Sequence, residues 1–148
     1  MGTFVVFGIA SQRYGIPVES VDAVLPMAWI TSVADSPADV CGLVDVHGRL
    51  VAVVDPAPRL KAPRVAPAAR DFLLLLSQAS GAVALKVDEI GGLATAEVRP
   101  PPPEVEAPAF VLGHAQAEGG LVTVLDVGRL LRPEVRELVA AIRRKPAP

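Results

Sequence analysis

The side chains able to do chemistry are few and far apart. His47, His114 and Cys41 are the only imidazoles and thiol in 148 residues. Metal sites built from such residues use short, regular spacings such as C-x2-C or H-x3-H, and these three show none. A lone cysteine cannot close an internal disulfide, and Cys41, beside Gly42, reads as a small buried apolar residue. No serine stands in a G-x-S-x-G elbow, and no P-loop, G-x-G-x-x-G or H-E-x-x-H occurs. Asp55 and Asp126 are conceivable as a carboxylate pair for general acid–base work. Each, however, ends an apolar run, where accepting N–H bonds from the following turn is the simpler task. Asp88-Glu89 before Gly91-Gly92 reads the same way. The expectation is a chain without catalytic residues, cofactor or metal: not an enzyme.

Composition narrows the alternatives. Half the residues are hydrophobic (51%) and mean hydropathy is +0.45, yet apolar runs are as short as Phe72–Leu76, against the ~20 residues a spanning helix needs. No basic leader followed by an apolar stretch opens the chain, so a cytoplasmic location without membrane insertion is expected. Fourteen basic and sixteen acidic residues give a net charge of −2, a poor footprint for nucleic acid, which is bound largely by neutralising phosphates. The one basic cluster, Arg143-Arg144-Lys145, closes a predicted helix, where cations complement the helix dipole. What remains is protein–protein binding, for which exposed apolar patches are the usual mark.

The elements that must position such a surface are mostly strands. Phe4–Ala10 is β-rich, and Ser11–Gly15 turns it back into Ile16-Pro17-Val18. Glu19–Leu25 fits one helical turn, with Val21 and Val24 on one face. Ser36-Pro37 fits a turn or a single helical turn capped by Ser36. Leu43–Val46 and Arg49–Val54 form a hairpin around His47-Gly48, where Gly48 supplies the positive φ of a tight reversal. The second of these strands is apolar on both faces and so reads as buried on both. Pro56–Ala69 is a connecting loop. Further strands are predicted at Asp71–Ser77, Gly81–Val87 and Gly92–Val98, and around Glu118–Gly120 at Phe110–Ala117 and Leu121–Asp126. Arg99–Pro108 cannot pair in a sheet, because proline lacks the N–H; its Pro100–Pro103 run is either a polyproline ligand or, more simply, a stiff spacer. Tyr14 reads as packed, whereas Trp29 suits either the core or a partner-facing anchor. Val135, Leu138, Val139 and Ile142 carry helical spacing over 133–145.

The chain also resembles itself. Ser11–Val24 and Ser77–Ile90 share Ser, Gln, Gly, Val and Asp at matching places, with Val24 opposite Ile90. GRLVAVVD (Gly48–Asp55) parallels GGLVTVLD (Gly119–Asp126). Two matches in the same order point to two similar halves, each a small barrel of short strands.

The ordered motifs resemble those of the CheW family of chemotaxis coupling proteins. They are F-x-V-F-x-I from Phe4, Tyr14-Gly15-Ile16, V-x-x-V at Val21–Val24, and G-x5-G-x2-V-x-V-V-D from Gly42 to Asp55. After these come L-x-V-D-x-I at Leu85–Ile90, the proline-rich segment and LVTVLDVGRLL at Leu121–Leu131. The resemblance covers Phe4–Leu131. It implies an all-β fold of two five-stranded, SH3-like barrels packed together, with a C-terminal α-helix, as one domain over 1–148. The first barrel is expected over roughly 18–68, the second over 69–131 plus the N-terminal strands, and the helix over 133–145. It also implies a non-enzymatic scaffold that couples the regulatory domain of a CheA-type histidine kinase to the cytoplasmic tip of a chemoreceptor, in membrane-associated arrays. In the family the receptor tip packs in a groove between the barrels, and the kinase domain docks on a barrel end. By matched position the candidate contacts are Val21, Ala23 and Val24, the turn His47, Gly48 and Arg49, and Phe72 and Leu73.

Three positions depart from the family pattern. Where N-L-R-G is common, this chain has Asp45-Val46-His47-Gly48, an imidazole in place of a permanently charged guanidinium. Where V-x-E-V is usual it has Ala23, without the carboxylate. Pro56 replaces the usual Leu after Asp55. Either the partners have changed to match or one coupling has been given up.

Overall fold

A computed structural model describes residues 1–77 and 82–144. Ten strands follow in order: β1 Gly2–Ile9, β2 Gln12–Pro17, β3 Val21–Pro26, β4 Val40–Val46, β5 Arg49–Val54, β6 Phe72–Leu76, β7 Val83–Val87, β8 Glu89–Ala96, β9 Val111–Ala117 and β10 Gly120–Leu125. Two α-helices follow among the described residues, α1 Val127–Leu130 and α2 Pro133–Arg144. The expected strand start at Gly81, the Gln78–Gly81 part of the second repeat and Lys145 lie outside the described residues, as do the side chains of Arg143 and Arg144.

The strands form two five-stranded sheets, β8-β1-β2-β10-β9 and β3-β6-β7-β5-β4. Each curls until its ends meet. Thr31, beyond β3, exchanges backbone hydrogen bonds with Leu43 of β4, both at 2.8 Å. Arg99, beyond β8, does the same with His114 of β9, at 2.8 and 2.9 Å. Closure removes the unpaired edges that invite aggregation. Both bridges require glycine on the far strand. Gly42 (φ +148°) and Gly113 (φ +156°) sit so close to the Thr31 and Arg99 carbonyls that a β-carbon would overlap them.

The two barrels are built alike, and each borrows from the other half of the chain. Parallel pairing joins β5 to β7 (Val53 opposite Ala84) and β10 to β2 (Val124 opposite Gly15). The expected division at residue 68 therefore does not hold. The hairpin β6–β7 completes the barrel of β3, β4 and β5, while β1–β2 completes that of β8, β9 and β10. The repeats are real but exchanged. Register also corrects their alignment. Val24 pairs with Leu74 as Leu93 pairs with Val5, so Val24 matches Leu93, not Ile90. GRLVAVVD and GGLVTVLD do coincide as β5 and β10, each entered by a two-residue turn.

Alternation along the strands sorts side chains between three cores. Val44, Val51, Val53, Leu73 and Ala84, with Leu25 packed against them, fill the β3–β7 barrel. Phe4, Ala115 and Val124 fill the other. The opposite faces of these strands meet in a larger shared core that includes Val54, Leu74, Leu76, Leu85, Phe7, Ile16 and Leu125. Val51–Val54 are thus buried on both faces, but Leu50 at the strand's start is exposed. Val135 and Val139 seal the shared core from α2. That helix is tied down by Arg132, whose Nε donates to the buried Asp39 carboxylate at 2.7 Å.

Three local expectations change. The helical turn lies at Val18–Ser20 and ends before β3. Val21 and Val24 consequently alternate faces on a strand instead of sharing one. The strand expected at Gly92–Val98 is Glu89–Ala96, with Gly91-Gly92 inside it at an irregularity opposite Val6 and Phe7. The first reversal is not Ser11–Gly15 but the pair Ala10-Ser11, both left-handed (φ 51° and 67°). A non-glycine residue there costs about 1–2 kcal/mol, and the turn is held because the Ala10 N–H donates to Asp88 Oδ2 at 2.8 Å. Ser11→Gly is expected to relieve that cost and raise the melting temperature by about 3 °C, read by thermal circular dichroism.

Candidate partner-docking surfaces

The candidate contacts fall in two places on the β3–β7 barrel. The first is the paired strands β3 and β6. Val21, Ala23 and Leu25 are half-buried along β3 while Asp22, Val24 and Pro26 alternate outward, so Val24 is the apolar side chain this strand offers to solvent. Phe72 lies opposite Pro26 and Leu73 opposite Leu25. Phe72 packs partly into the shared core. Leu73 is 1% exposed, inside the barrel, so it supports the strand and cannot itself touch a partner.

The second place is the β4–β5 turn. Val46 pairs with Arg49 across a two-residue loop, and His47 (φ 51°) and Gly48 (φ 85°) both adopt the left-handed backbone that such a loop demands. Asp45 Oδ1 accepts the Gly48 N–H at 2.7 Å and fixes the reversal. Nothing lies near Gly48, so glycine is needed there for its backbone, not for space. His47, Gly48, Arg49 and Leu50 are all exposed. The turn and Val24 lie on strands at the two ends of the sheet order, which the Thr31–Leu43 bridge brings together as the barrel closes.

Polar groups elsewhere serve the fold. Asp55 Oδ1 accepts the Ala57 N–H at 2.9 Å and Asp126 Oδ1 the Arg129 N–H at 3.3 Å, so both carboxylates make the turn contacts expected of them. Tyr14 is packed against Phe7, with ring centroids 6.0 Å apart. Burial pushes the Cys41 thiol upward, and the Asp55 carboxylate adds to that shift against Lys86 and Arg64; the thiol is held in its unreactive neutral form. Among the described residues no three His, Cys, Asp or Glu side chains converge as metal ligands. No described helix is long and apolar enough to cross a membrane.

Sequence reasoning left Trp29 open, and the structure places it outside, 88% exposed. It also missed the counterpart surface on the other barrel, where Leu93 and Leu121 are exposed at the places matching Val24 and Leu50. An exposed apolar residue leaves no periodic signal to tell it from a buried one.

The CheW-like domain model matches residues 3–135. The chain belongs to the CheW-like family. Among curated relatives, the chemotaxis protein CheW of Rhizobium meliloti is 22% identical over 138 residues, 90% of this chain and 89% of that protein. The protein FrzA of Myxococcus xanthus is 29% identical over 143 residues, 93% and 89% of the two chains. The crystal structure of the scaffolding protein TtCheW from Thermoanaerobacter tengcongensis superposes with a TM-score of 0.76 at 21% identity, covering 90% of each chain. Two five-stranded β-barrels with a C-terminal helix are therefore the CheW fold, as the motif order implied. CheW-family scaffold proteins are non-enzymatic.

Proposed function

We propose that this protein is a chemosensory adaptor that couples the regulatory domain of a CheA-type histidine kinase to the cytoplasmic tip of a chemoreceptor, at membrane-associated arrays. The observation that carries the proposal is the CheW-like match over residues 3–135 on a chain whose exposed features include an apolar strand and a fixed turn. Val24 on β3 and the His47-Gly48-Arg49 turn are its proposed docking points, with Val21, Ala23 and Phe72 shaping the strand around Val24. Calorimetry with the cognate kinase domain and with a receptor-tip peptide tests it. Binding to both supports it; absence of heat with both at high protein concentration overturns it.

A second reading has one of the two couplings replaced by another protein partner. It is favoured by the exposed imidazole at His47 and the missing carboxylate at Ala23. His47→Arg is expected to leave the fold unchanged, because the side chain is exposed and its φ is kept. It should strengthen binding to the partner that meets this turn about fivefold, the worth of one charge-assisted hydrogen bond at a wet interface. Unchanged affinity for kinase and receptor alike would remove the turn from the docking surface.

A further inference from the structure

We propose that the cavity beside β10, with Lys61 and Glu106 among its lining, binds a free α-amino acid with a large apolar side chain. The cavity measures about 760 Å³, within the usual range of small-molecule sites. Leu60, Phe110, Val111 and Leu125 make it apolar, and Tyr14 and Thr123 bring hydroxyls to it. Among the described residues no side chain or carbonyl hydrogen-bonds either hydroxyl. An apolar hollow with a few polar groups is the general form of a ligand site.

The cavity exists because one half of the chain lacks a helix that the other half has. The barrels match strand for strand, so Val111, Thr123 and Tyr14 stand where Val40, Ala52 and Val83 stand in the β3–β7 barrel. There α2 lies against β5, and those three residues are buried in one cluster with its Val135 and Val139. The chain leaving β5 starts out as the chain leaving β10 does. Asp55 and Asp126 each accept from the turn that follows. Arg59 then crosses to lie 4.8 Å over the Phe110 ring, as Arg132 crosses to Asp39. Beyond that point the halves part. Pro133 opens α2, but a helix opened at Pro63 would meet Pro67 one turn later, which lacks the N–H. Val111 and Thr123 are left partly exposed.

The charges say what fills the space. Arg59 is committed: its Nε and Nη2 donate to the Leu130 and Arg129 carbonyls at 3.0 and 2.9 Å. Lys61 and Glu106 are not. Both are exposed and both line the cavity, yet among the described residues no ion pair joins them to each other or to a third group. An ammonium and a carboxylate around one apolar hollow, not touching, complement a zwitterion with an apolar body. Lys61 takes the ligand carboxylate and Glu106 its ammonium in charge-assisted hydrogen bonds. The ligand side chain takes over β10 the place that α2 takes over β5. A simple fatty acid or amine would leave one of the two charges unmatched. Lys61 also sits on a fixed turn: its backbone is left-handed (φ 55°), and the next N–H, of Ala62, donates to the Ala57 carbonyl at 2.9 Å. This proposal does not depend on the coupling reading above.

Calorimetric titration of the full chain with L-phenylalanine and with L-leucine should give saturable heat. Hydrocinnamate, which lacks the ammonium, and phenethylamine, which lacks the carboxylate, should each bind about tenfold more weakly than phenylalanine. Lys61→Gln and Glu106→Gln change exposed side chains and should leave the melting temperature of the unliganded chain as it is. Each should weaken phenylalanine binding about tenfold, and added salt should weaken binding to the unaltered chain. Phenylalanine should also raise the melting temperature of the unaltered chain more than that of either variant. Absence of heat at millimolar amino acid overturns the proposal. So do analogues that bind as tightly as phenylalanine, or variants that bind it as the unaltered chain does, since the two charges would then have no part in the site.

Discussion

Gly113→Ala is expected to cost this protein its native fold, or to lower its melting temperature by roughly 10 °C or more. Two penalties coincide. The backbone sits at φ +156°, where a side chain is strained, at about 1–2 kcal/mol. The new methyl would also overlap the Arg99 carbonyl, which accepts the His114 N–H while the Arg99 N–H donates to the His114 carbonyl. It cannot move aside without opening the barrel. Gly120→Ala is the internal control: its φ is +127° but nothing stands near it, so only the conformational part applies. Thermal unfolding of both variants separates the terms. A Gly113→Ala melt indistinguishable from that of Gly120→Ala would mean that the Arg99–His114 closure is not what holds this edge.

Leu85→Ala carries the next largest effect. Leu85 is fully buried in the shared core, on the face of β7 that meets the other barrel. Truncating such a leucine costs about 2–5 kcal/mol, transfer plus cavity, a large share of the 5–15 kcal/mol that typically holds a domain together. Because the cavity opens between the barrels, both should weaken together. Urea unfolding followed by hydrogen exchange should show β6 and β10 amides losing protection in a single transition at a lower midpoint. Separate transitions for the two barrels would contradict a shared core.

The strands were legible because their patterns are local. The continuous apolar run of Leu50–Val54, the Asp-x-His-Gly step and the helical spacing from Val135 to Ile142 each point to one geometry, and each element stands where it was expected. Which strands share a barrel was not legible. Adjacent hairpins read naturally as neighbours, and nothing in β6 and β7 signals that they pair with β3 and β5. The placement of the proposed docking residues was half legible. Phe72–Leu76 is apolar throughout, so its outward face is unmarked, and Leu73, expected at the surface, turned out to be core. Val21–Val24 carries a spacing that suits a helical turn as well as a strand, and only pairing with β6 decides it. Trp29 had no neighbours in the pattern to fix its side.

The exchanged hairpins set an order of events during synthesis. One barrel has all its strands once Val87 has left the ribosome. The other cannot close until β10 arrives to lie beside β2, joining Tyr14 to Thr123. Meanwhile the first-made hairpin, with Phe4, Val6 and Phe7, waits with its apolar side chains uncovered. Contacts this distant along a chain form slowly, and uncovered strands of this kind invite wrong partners. The β1–β2 hairpin is the vulnerable part of this barrel during synthesis, and it stays so until β10 has been translated.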